Sequence, residues 1–382
     1  MTEPDLQQLA AAGVAALQRD DPAEARRFLE LAVTRHGAAG TLWFMLAQAC
    51  AQLGDGQAEE RALDSALAAE PGFFPALLTK GERAAARGDD RAAVSFLSMA
   101  LTNAPPQPSP QVQARLERAR QTMAAAQASF HVHLDRQLCA AGVREEDRPP
   151  RFREALAILT GQADIQIQQP TSFFYPGLPQ TAFYDPADFP WAAELEQRAP
   201  VMRAELEALL EDEAGFAPYV ERDPSRPQRA HALLEDPRWS AFYLWRDGAR
   251  VEENARRCPE AMAALELAPL PHIAGRSPMA LFSMLRPKTY IPPHWGMLNT
   301  RLICHIPLIV PPGCRLRVGN HVRAVEAGKA MIFDDSINHE ASNDSEETRV
   351  VLLFEIWRPE LDEAERRALT AMFESVRLYG SD

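Results

Sequence analysis

The spacing of apolar residues differs along the chain, and in the N-terminal part it follows a long repeat. Two columns of apolar residues recur every 34 residues: Leu29, Leu63 and Leu97 form one column, and Ala32, Ala66 and Ala100 form the other. A repeat of this length with a small residue, a large apolar residue and a helix-stopping Pro or Gly is typical of paired antiparallel helices. Each pair leaves an apolar flank that only its neighbour can cover, so we predict a small solenoid of stacked helix pairs closed by a further helix.

This pattern resembles the tetratricopeptide repeat over residues 5–105, with the turns QRDDPAEA, LGDGQAEE and RGDDRAAV between helices. Two departures stand out: Glu59 occupies the column where the other repeats have Ala25 and Ala93, and the first repeat ends in Gly37 rather than proline. The resemblance implies a concave groove for a peptide or a partner helix. The alternative is that the array only stiffens or dimerises the protein, since repeats indicate geometry and not a ligand.

Near residue 279 the apolar spacing changes to every second position. The segments with this spacing, separated by Pro and Gly, are MALFSML, RLICHIPLIV, CRLRV, KAMIF and RVVLLFEIW. Successive strands without intervening helices are typical of an antiparallel sandwich or barrel. The mouth of a small barrel can bring side chains from several strands to one ligand.

Composition shifts indicate where these parts meet. The segment PPQPSPQ interrupts the helical pattern after the third repeat, and Gln, Pro and aromatic residues become frequent after VREEDRPPRF. Proline cannot continue a helix, so we interpret these shifts as boundaries. The prediction is an α+β chain with a helical repeat domain at residues 1–125, a helical linker at 126–170, and a sheet domain with flanking helices at 171–382.

Charge and cysteine content narrow the classes of function. The chain has 382 residues and a formal charge of −13, which repels phosphate backbones, so nucleic acid is not an expected partner. Its five cysteines include no CxxC pair, which favours reduced thiols over disulfides or structural zinc. No apolar run is long enough to span a bilayer, and the start MTEPDLQQLA is unlike a signal peptide, so we expect a cytoplasmic protein that has no membrane partner.

The candidate chemistry lies in the strand-rich region. His294 in PPHWG and His339 in DDSINHE are set by turn residues at strand edges, 45 residues apart. Non-haem iron sites commonly use two histidines and a carboxylate, often two positions after the first histidine, but Gly296 occupies that position here. Arg349 begins an apolar strand, where a buried guanidinium requires an anion.

These segments resemble the aspartyl/asparaginyl β-hydroxylases, from FFYPGLP at residue 173 to IWRPEL, which ends at residue 361. The similarity is densest in PHWGMLNTRL, GKAMIFDDSINHE and RVVLLFEIWRPEL. The resemblance implies a double-stranded β-helix (jelly roll) that uses Fe(II), 2-oxoglutarate and O2, and that can follow tetratricopeptide repeats. In this family glycine replaces the acidic ligand, which accounts for Gly296, and the pair Asp334 and Asp335 is expected in a turn or beside the metal ligands rather than among them.

The resemblance also implies a role for individual residues. His294 and His339 correspond to the iron ligands, and Arg349 to the clamp for the distal carboxylate of 2-oxoglutarate. Ser283 corresponds to the hydroxyl that assists this clamp, and His305 to the histidine near the other carboxylate of the co-substrate.

Substrate recognition is less completely matched. Arg301 corresponds to a residue that contacts the substrate carboxylate, but a second arginine expected two positions later is Ile303 here. Loss of that arginine halves the donors available for carboxylate capture. The family-like segment WSAFYLWRDGARVEENARRCPE is expected to line the substrate approach through its aromatic residues and through Arg246 or Arg250.

The function implied by the resemblance is hydroxylation of an unactivated carbon of an Asp or Asn residue in a peptide or protein, with the repeats presenting the substrate. Two alternatives stay open. One is a scaffold protein whose barrel has lost turnover, and the other is a hydroxylase of a small-molecule or lipid-acyl substrate.

Overall fold

The computed structural model describes residues 5–36, 39–211, 215–222, 224 and 231–379. The chain divides into two compact units, Met1–Ala163 and Asp164–Asp382. Gly37, the predicted end of the first repeat, lies outside the described residues. None of the helices in the described ranges combines the length and apolar character needed to cross a membrane.

The first unit is entirely helical. Its α-helices are α1 Leu6–Gln18, α2 Pro22–His36, α3 Gly40–Gln52, α4 Gly56–Ala69, α5 Phe74–Ala86, α6 Asp90–Thr102, α7 Pro110–Ala140 and α8 Pro150–Leu159. A short 3-10 turn, Glu145–Asp147, precedes α8. Helices α1 to α6 form three successive pairs, and α7 packs against α5 and α6.

The start of the second helix in each pair shows how the 34-residue pattern produces the fold. The residue before each cap has a positive φ: Asp20, Gly54 and Gly88. The cap carboxylate then accepts the backbone N–H three residues on: Asp21 from Glu24, Asp55 from Ala58 and Asp89 from Ala92. Such side-chain caps satisfy otherwise unpaired N–H groups and each stabilise a helix by about 1 kcal/mol.

Close packing within the pairs follows from the same columns. Leu29, Leu63 and Leu97 are buried, and a Cβ at Gly13 or Gly81 would lie 2.6 Å from the Cγ of Leu29 or Leu97, respectively. The exceptional Glu59 is buried, and its Oε1 lies 3.0 Å from Nε of Arg83. The prediction of a helical, tetratricopeptide-like region is confirmed.

The second unit is built on antiparallel strands. The strands are β1 Phe183–Tyr184, β2 Ala217–Pro218, β3 Trp239–Arg246, β4 Ala249–Arg250, β5 Ala280–Leu285, β6 Thr289–His294, β7 Arg301–Ile309, β8 Cys314–Val318, β9 His321–Ala324, β10 Met331–Phe333, β11 His339–Asn343 and β12 Arg349–Trp357. Its helices are α9 Ala192–Gln197, α10 Ala199–Leu210, α11 Glu252–Arg257, α12 Pro259–Leu265 and α13 Glu363–Leu378.

These strands form two sheets. The larger sheet has eight strands in the order β1-β10-β7-β12-β5-β3-β2, with β4 paired to β3, and the smaller has the order β6-β11-β8-β9. The strand pairs within both sheets are antiparallel. The predicted antiparallel sheet domain is confirmed, although across the described residues the two sheets stay separate and do not close into one barrel.

Side chains alternate between the two faces of the larger sheet, and each face packs against a different part of the unit. One face packs with the smaller sheet in a shared core that includes Trp239, Leu285, Ile303, Leu316 and Val318. The opposite face packs with the helices in a core that includes Phe242, Phe282, Phe354, Met202 and Met262. His294 and His339 belong to the smaller sheet, and Ser283, Arg301, His305 and Arg349 belong to the face of the larger sheet that looks toward it.

Candidate functional site

A cavity of about 370 Å³ in the second unit is lined by all six residues for which the resemblance implied a role toward the metal, the co-substrate or the substrate carboxylate. These residues, contributed by β5, β6, β7, β11 and β12, are Ser283, His294, Arg301, His305, His339 and Arg349. The alternation of the strands explains their convergence: alternate residues of β7 line the cavity, and β12 contributes Arg349, Leu353 and Glu355. Their roles toward a metal or co-substrate stay predictions.

The two histidines lie side by side on paired strands. His294 and His339 are cross-strand partners, and their ring centroids are 4.0 Å apart. Nδ1 of His294 lies 2.8 Å from the carbonyl oxygen of Pro292, and Nδ1 of His339 lies 3.0 Å from that of Ile337. A carbonyl oxygen can only accept, so each Nδ1 carries the hydrogen and each Nε2 keeps its lone pair.

The surroundings keep both rings neutral. Burial lowers the pKa of His294, and burial together with the neighbouring His294 lowers the pKa of His339 to about 3. Neutral imidazoles with Nδ1–H donated to backbone carbonyls are the form in which histidine usually binds a metal. The pair therefore has the tautomers and the charge state that a metal ion such as Fe(II) requires.

Gly296 is required by the carboxylate of Asp335. A Cβ atom at position 296 would overlap that carboxylate, and the backbone N–H of Gly296 donates to the Asp335 carbonyl oxygen at 2.7 Å. Burial raises the pKa of Asp335 to about 6, although Arg301 acts in the opposite direction. Within the described ranges, no group of three His, Cys, Asp or Glu side chains is arranged to hold a metal, so the candidate site offers two histidines with a carboxylate nearby.

At another wall of the cavity, Arg349 carries an uncompensated charge. Its side chain is 2% exposed and forms no hydrogen bond or ion pair with the part of the chain that the structure describes, and burial lowers its pKa to about 10. Neither ring nitrogen of the buried His305 has a hydrogen-bond partner in that part either. Buried donors without acceptors are costly, so these groups fit an anionic ligand such as a carboxylate of 2-oxoglutarate.

Ser283 is held by an aromatic residue. Its hydroxyl oxygen accepts a hydrogen bond from Nε1 of Trp239 at 3.2 Å, and the Trp239 ring stacks on Tyr219 with centroids 4.1 Å apart. Trp239 is the first residue of the aromatic segment that the sequence indicated for the substrate approach, and it lines the cavity.

The structure pairs Arg301 with acidic residues of the chain itself. Its Nη1 lies 3.0 Å from Oδ1 of Asp335, and its Nε lies 2.7 Å from Oε1 of Glu355. All three side chains are buried, and the two carboxylates raise the pKa of Arg301 in spite of its desolvation. The sequence alone did not reveal this pairing, because Glu355 lies in a run of apolar strand residues without a recognisable motif.

Asp334 differs from the adjacent Asp335. It forms an ion pair of 2.7 Å with Arg358, and neither side chain is exposed. Asp334 also accepts hydrogen bonds from Gln168 at 2.7 Å and from the backbone of Ser336 at 3.0 Å. The predicted turn is confirmed for both aspartates, because the backbone N–H of Ile337 donates to the Asp334 carbonyl oxygen at 3.2 Å across Asp335. The side-chain contacts of Asp334 anchor the loop leading to His339.

Two arginines do not have the position expected for the substrate approach. Arg246 pairs with Glu221 at 2.6 Å and stacks over Tyr243, and Arg250 is exposed on β4. Neither lines the cavity. Arg276, which had no recognisable sequence signal, does line it.

Comparison with known proteins identifies the class of protein to which this site belongs. The family model described as aspartyl/asparaginyl beta-hydroxylase matches residues 196–359, a range that includes β3 to β12. The ornithine lipid ester-linked acyl 2-hydroxylase of Rhizobium tropici is 35% identical over 223 residues, which cover 57% of this chain and 74% of that protein. The chain belongs to the aspartyl/asparaginyl beta-hydroxylase family, a family of hydroxylases.

Other relatives are matched over a smaller share of their length. Human aspartyl/asparaginyl beta-hydroxylase is 37% identical over 127 residues, which cover 33% of this chain and 16% of the human protein. Aspartate beta-hydroxylase domain-containing protein 2 of Rattus norvegicus is 30% identical over 249 residues, which cover 62% of this chain and 65% of the rat protein.

Solved structures similar to this chain include a TPR domain. The TPR domain of Sgt2 from Aspergillus fumigatus has a TM-score of 0.29 and 18% identity, with coverage of 32% of this chain and 82% of that one. A MamA structure has a TM-score of 0.27 and 16% identity, with coverage of 41% of this chain and 73% of that one. The tetratricopeptide-like assignment rests on the repeated caps and packing described above.

Proposed function

We propose that the second unit is an Fe(II)- and 2-oxoglutarate-dependent hydroxylase whose two sheets form a double-stranded β-helix. The observation that carries the proposal is the pairing of His294 with His339, with both Nδ1–H groups committed to backbone carbonyls, in the same cavity as the buried Arg349, which has no partner among the described residues. A neutral histidine pair and a guanidinium without an anion are complementary to a cation and a dicarboxylate, respectively.

Each of these residues has a definite task in the proposal. Nε2 of His294 and of His339 would bind the iron, and Arg349 would bind the distal carboxylate of 2-oxoglutarate, with Ser283 and His305 beside it. When bound, iron, 2-oxoglutarate and O2 supply the oxidising chemistry that hydroxylates an unactivated C–H bond. The protein contributes binding, orientation and exclusion of water, since the cavity walls include Leu353 and other apolar side chains.

Asp335 would act beside the metal. Its carboxylate fills the space that a side chain at position 296 would need, and it is tied to Arg301. We infer that it orients a water or a ligand group near the iron through a hydrogen bond. Because Arg301 contacts the same carboxylate, a substitution of Arg301 should change the position of the Asp335 side chain, and a substitution of Asp335 should change that of Arg301.

The first candidate substrate is an Asp or Asn residue of a peptide or protein, in keeping with the name of the family. In this proposal the groove of the helical repeats presents the peptide. Arg301 would contact the substrate carboxylate through guanidinium N–H groups other than those directed at Asp335 and Glu355.

A second candidate substrate is a lipid-acyl carbon. Two observations favour it: Asp335 and Glu355 already compensate Arg301, and the second arginine of the family is replaced by the buried Ile303. Apolar side chains also line the cavity, including Met279 and Met297. The name of the Rhizobium tropici relative indicates that an acyl chain is a possible substrate class within this family.

Anaerobic titration with Fe(II) and 2-oxoglutarate tests the proposed site. We expect a visible metal-to-ligand charge-transfer band for the unmodified chain and no band for His339→Ala. Release of succinate, screened over Asp- and Asn-containing peptides and over acyl lipids, then identifies the substrate class. A properly folded chain that gives no band would contradict the proposal and would favour a scaffold role for the repeats.

A further inference from the structure

Arg276 is a cavity residue to which the proposed reaction assigns no task. It lies between α12 and β5, is half-buried, and lines the cavity together with the histidine pair. Its backbone N–H donates to the carbonyl oxygen of Ile273 at 3.1 Å. Its guanidinium carbon lies 4.3 Å from the ring centroid of Phe373 on α13. The side chain is therefore positioned by packing.

The guanidinium of Arg276 has no anionic partner among the residues that the structure describes. It forms no hydrogen bond or ion pair with them, and its Nε is buried without an acceptor. Burial, followed by the nearby charge of Arg301, lowers its pKa. A buried donor without a partner costs free energy unless a ligand supplies the acceptor.

The nearby carboxylate of Glu355 is already occupied. One of its oxygens, Oε1, lies 2.7 Å from Nε of Arg301, and the other, Oε2, accepts the backbone N–H of Met279 at 3.0 Å. Both oxygens of this acid therefore have a partner other than Arg276. Of the three arginines that line the cavity, Arg301 is compensated, whereas Arg276 and Arg349 lack anions within the described residues.

We propose that Arg276 binds an oxyanion of the substrate, a carboxylate or a phosphate, and so holds the substrate within the cavity that contains His294 and His339. This inference rests on the proposed function, in which the other unpaired cation, Arg349, binds the co-substrate. It assigns to Arg276 the donor that Ile303 cannot provide. Stacking on Phe373 limits the rotamers of the guanidinium, which reduces the entropy lost on binding.

Calorimetric titration of the full chain with inorganic phosphate or acetate, after saturation with 2-oxoglutarate, tests the proposal. The co-substrate occupies the Arg349 position first, so the second titration reports a separate anion site. We expect Arg276→Gln to weaken binding of the preferred anion at least about tenfold, because hydrogen bonds to charged groups contribute more than a tenfold factor. Arg276→Lys should retain part of the affinity, and the preference between phosphate and acetate indicates which oxyanion the substrate carries.

Two controls separate anion binding from packing. Phe373→Leu removes the ring contact but keeps the guanidinium, so it should lower the melting temperature and weaken anion binding less than Arg276→Gln does. Arg250→Gln removes an exposed arginine outside the cavity and should leave anion binding unchanged. Equal anion affinity in the unmodified chain and in folded Arg276→Gln would overturn the inference, as would an equal loss of affinity in Phe373→Leu and Arg276→Gln. Failure of the unmodified chain to bind 2-oxoglutarate would instead contradict the proposed function.

Discussion

A buried cation is paired with carboxylates in the helical unit, whereas a buried cation in the cavity of the second unit has no such partner among the described residues. In the helical unit Lys80 is buried, and its ammonium pairs with Glu60 at 2.7 Å and also with Asp64. In the cavity Arg349 is buried, and it has no partner among the described residues. Since an unpaired buried ion costs several kcal/mol, a protein retains one where a ligand is to compensate it. The comparison shows how a structural charge is distinguished from a binding group.

The largest effect on stability is expected at the paired charge beneath the site. Asp334→Asn leaves the fully buried Arg358 with Glu360, whose side chain is 27% exposed, as its one acidic partner among the described residues, so the free energy of unfolding should fall by about 3 kcal/mol. Chemical denaturation measures this change. Asp335→Asn in the same turn is the matched control and should cost less, because Arg301 keeps Glu355. Equal losses in the two variants would contradict the distinction between the neighbouring aspartates.

Removal of one member of the histidine pair should act on metal binding rather than on folding. His339→Ala is expected to weaken Fe(II) binding by at least about a hundredfold, since even the outer partners of metal ligands contribute up to that factor. Its melting temperature without metal should change little. His321→Ala, at an exposed position on β9, serves as the control and should bind iron normally. Retention of iron affinity in His339→Ala would exclude the two-histidine site.

Substitution of Arg349, which has no partner among the described residues, should raise the stability of the ligand-free protein, whereas substitution of the paired residues should lower it. Arg349→Met removes a buried charge without leaving a partner behind, so the ligand-free protein should become more stable by about 1–3 kcal/mol. The same variant should lose binding of 2-oxoglutarate. Unfolding curves recorded with and without 2-oxoglutarate test both parts, and a loss of stability in the ligand-free variant would mean that Arg349 has a structural role.

The smallest effect is expected in the helical unit. Lys80→Met should lower the free energy of unfolding of that unit by about 1 kcal/mol, because the side chains of Glu60 and Asp64 are 35% and 63% exposed and can be hydrated where they lose the ammonium, and Glu60 keeps Arg87. Thermal unfolding of the full chain, with Arg91→Gln at an exposed position on α6 as the control, measures this change. If Lys80→Met were more stable than the unmodified chain, the expected difference between the paired Lys80 and Arg349 would be contradicted.

The sequence was informative about the fold where the pattern is local. The 34-residue columns predicted the helix pairs, and the structure shows the same period in caps and positive-φ residues such as Gly54 and Gly88. Alternation predicted the antiparallel strands, because side chains on a strand point to opposite faces in turn. The alternation could not predict whether the strands close into a single barrel, because it does not specify which strands pair.

For the site, the sequence by itself determined which residues are available: His294 and His339, the absence of a side chain at Gly296, and Arg349 at the start of a buried strand. Only the tertiary structure decided the partner of each charge. It paired Arg301 with Asp335 and Glu355, turned Asp334 toward Arg358, and left Arg276 facing the cavity without an acceptor among the described residues. The physical reason is that ion pairing depends on distances of a few ångströms between segments far apart in the chain. Those distances are set by strand register and loop packing rather than by local residue patterns.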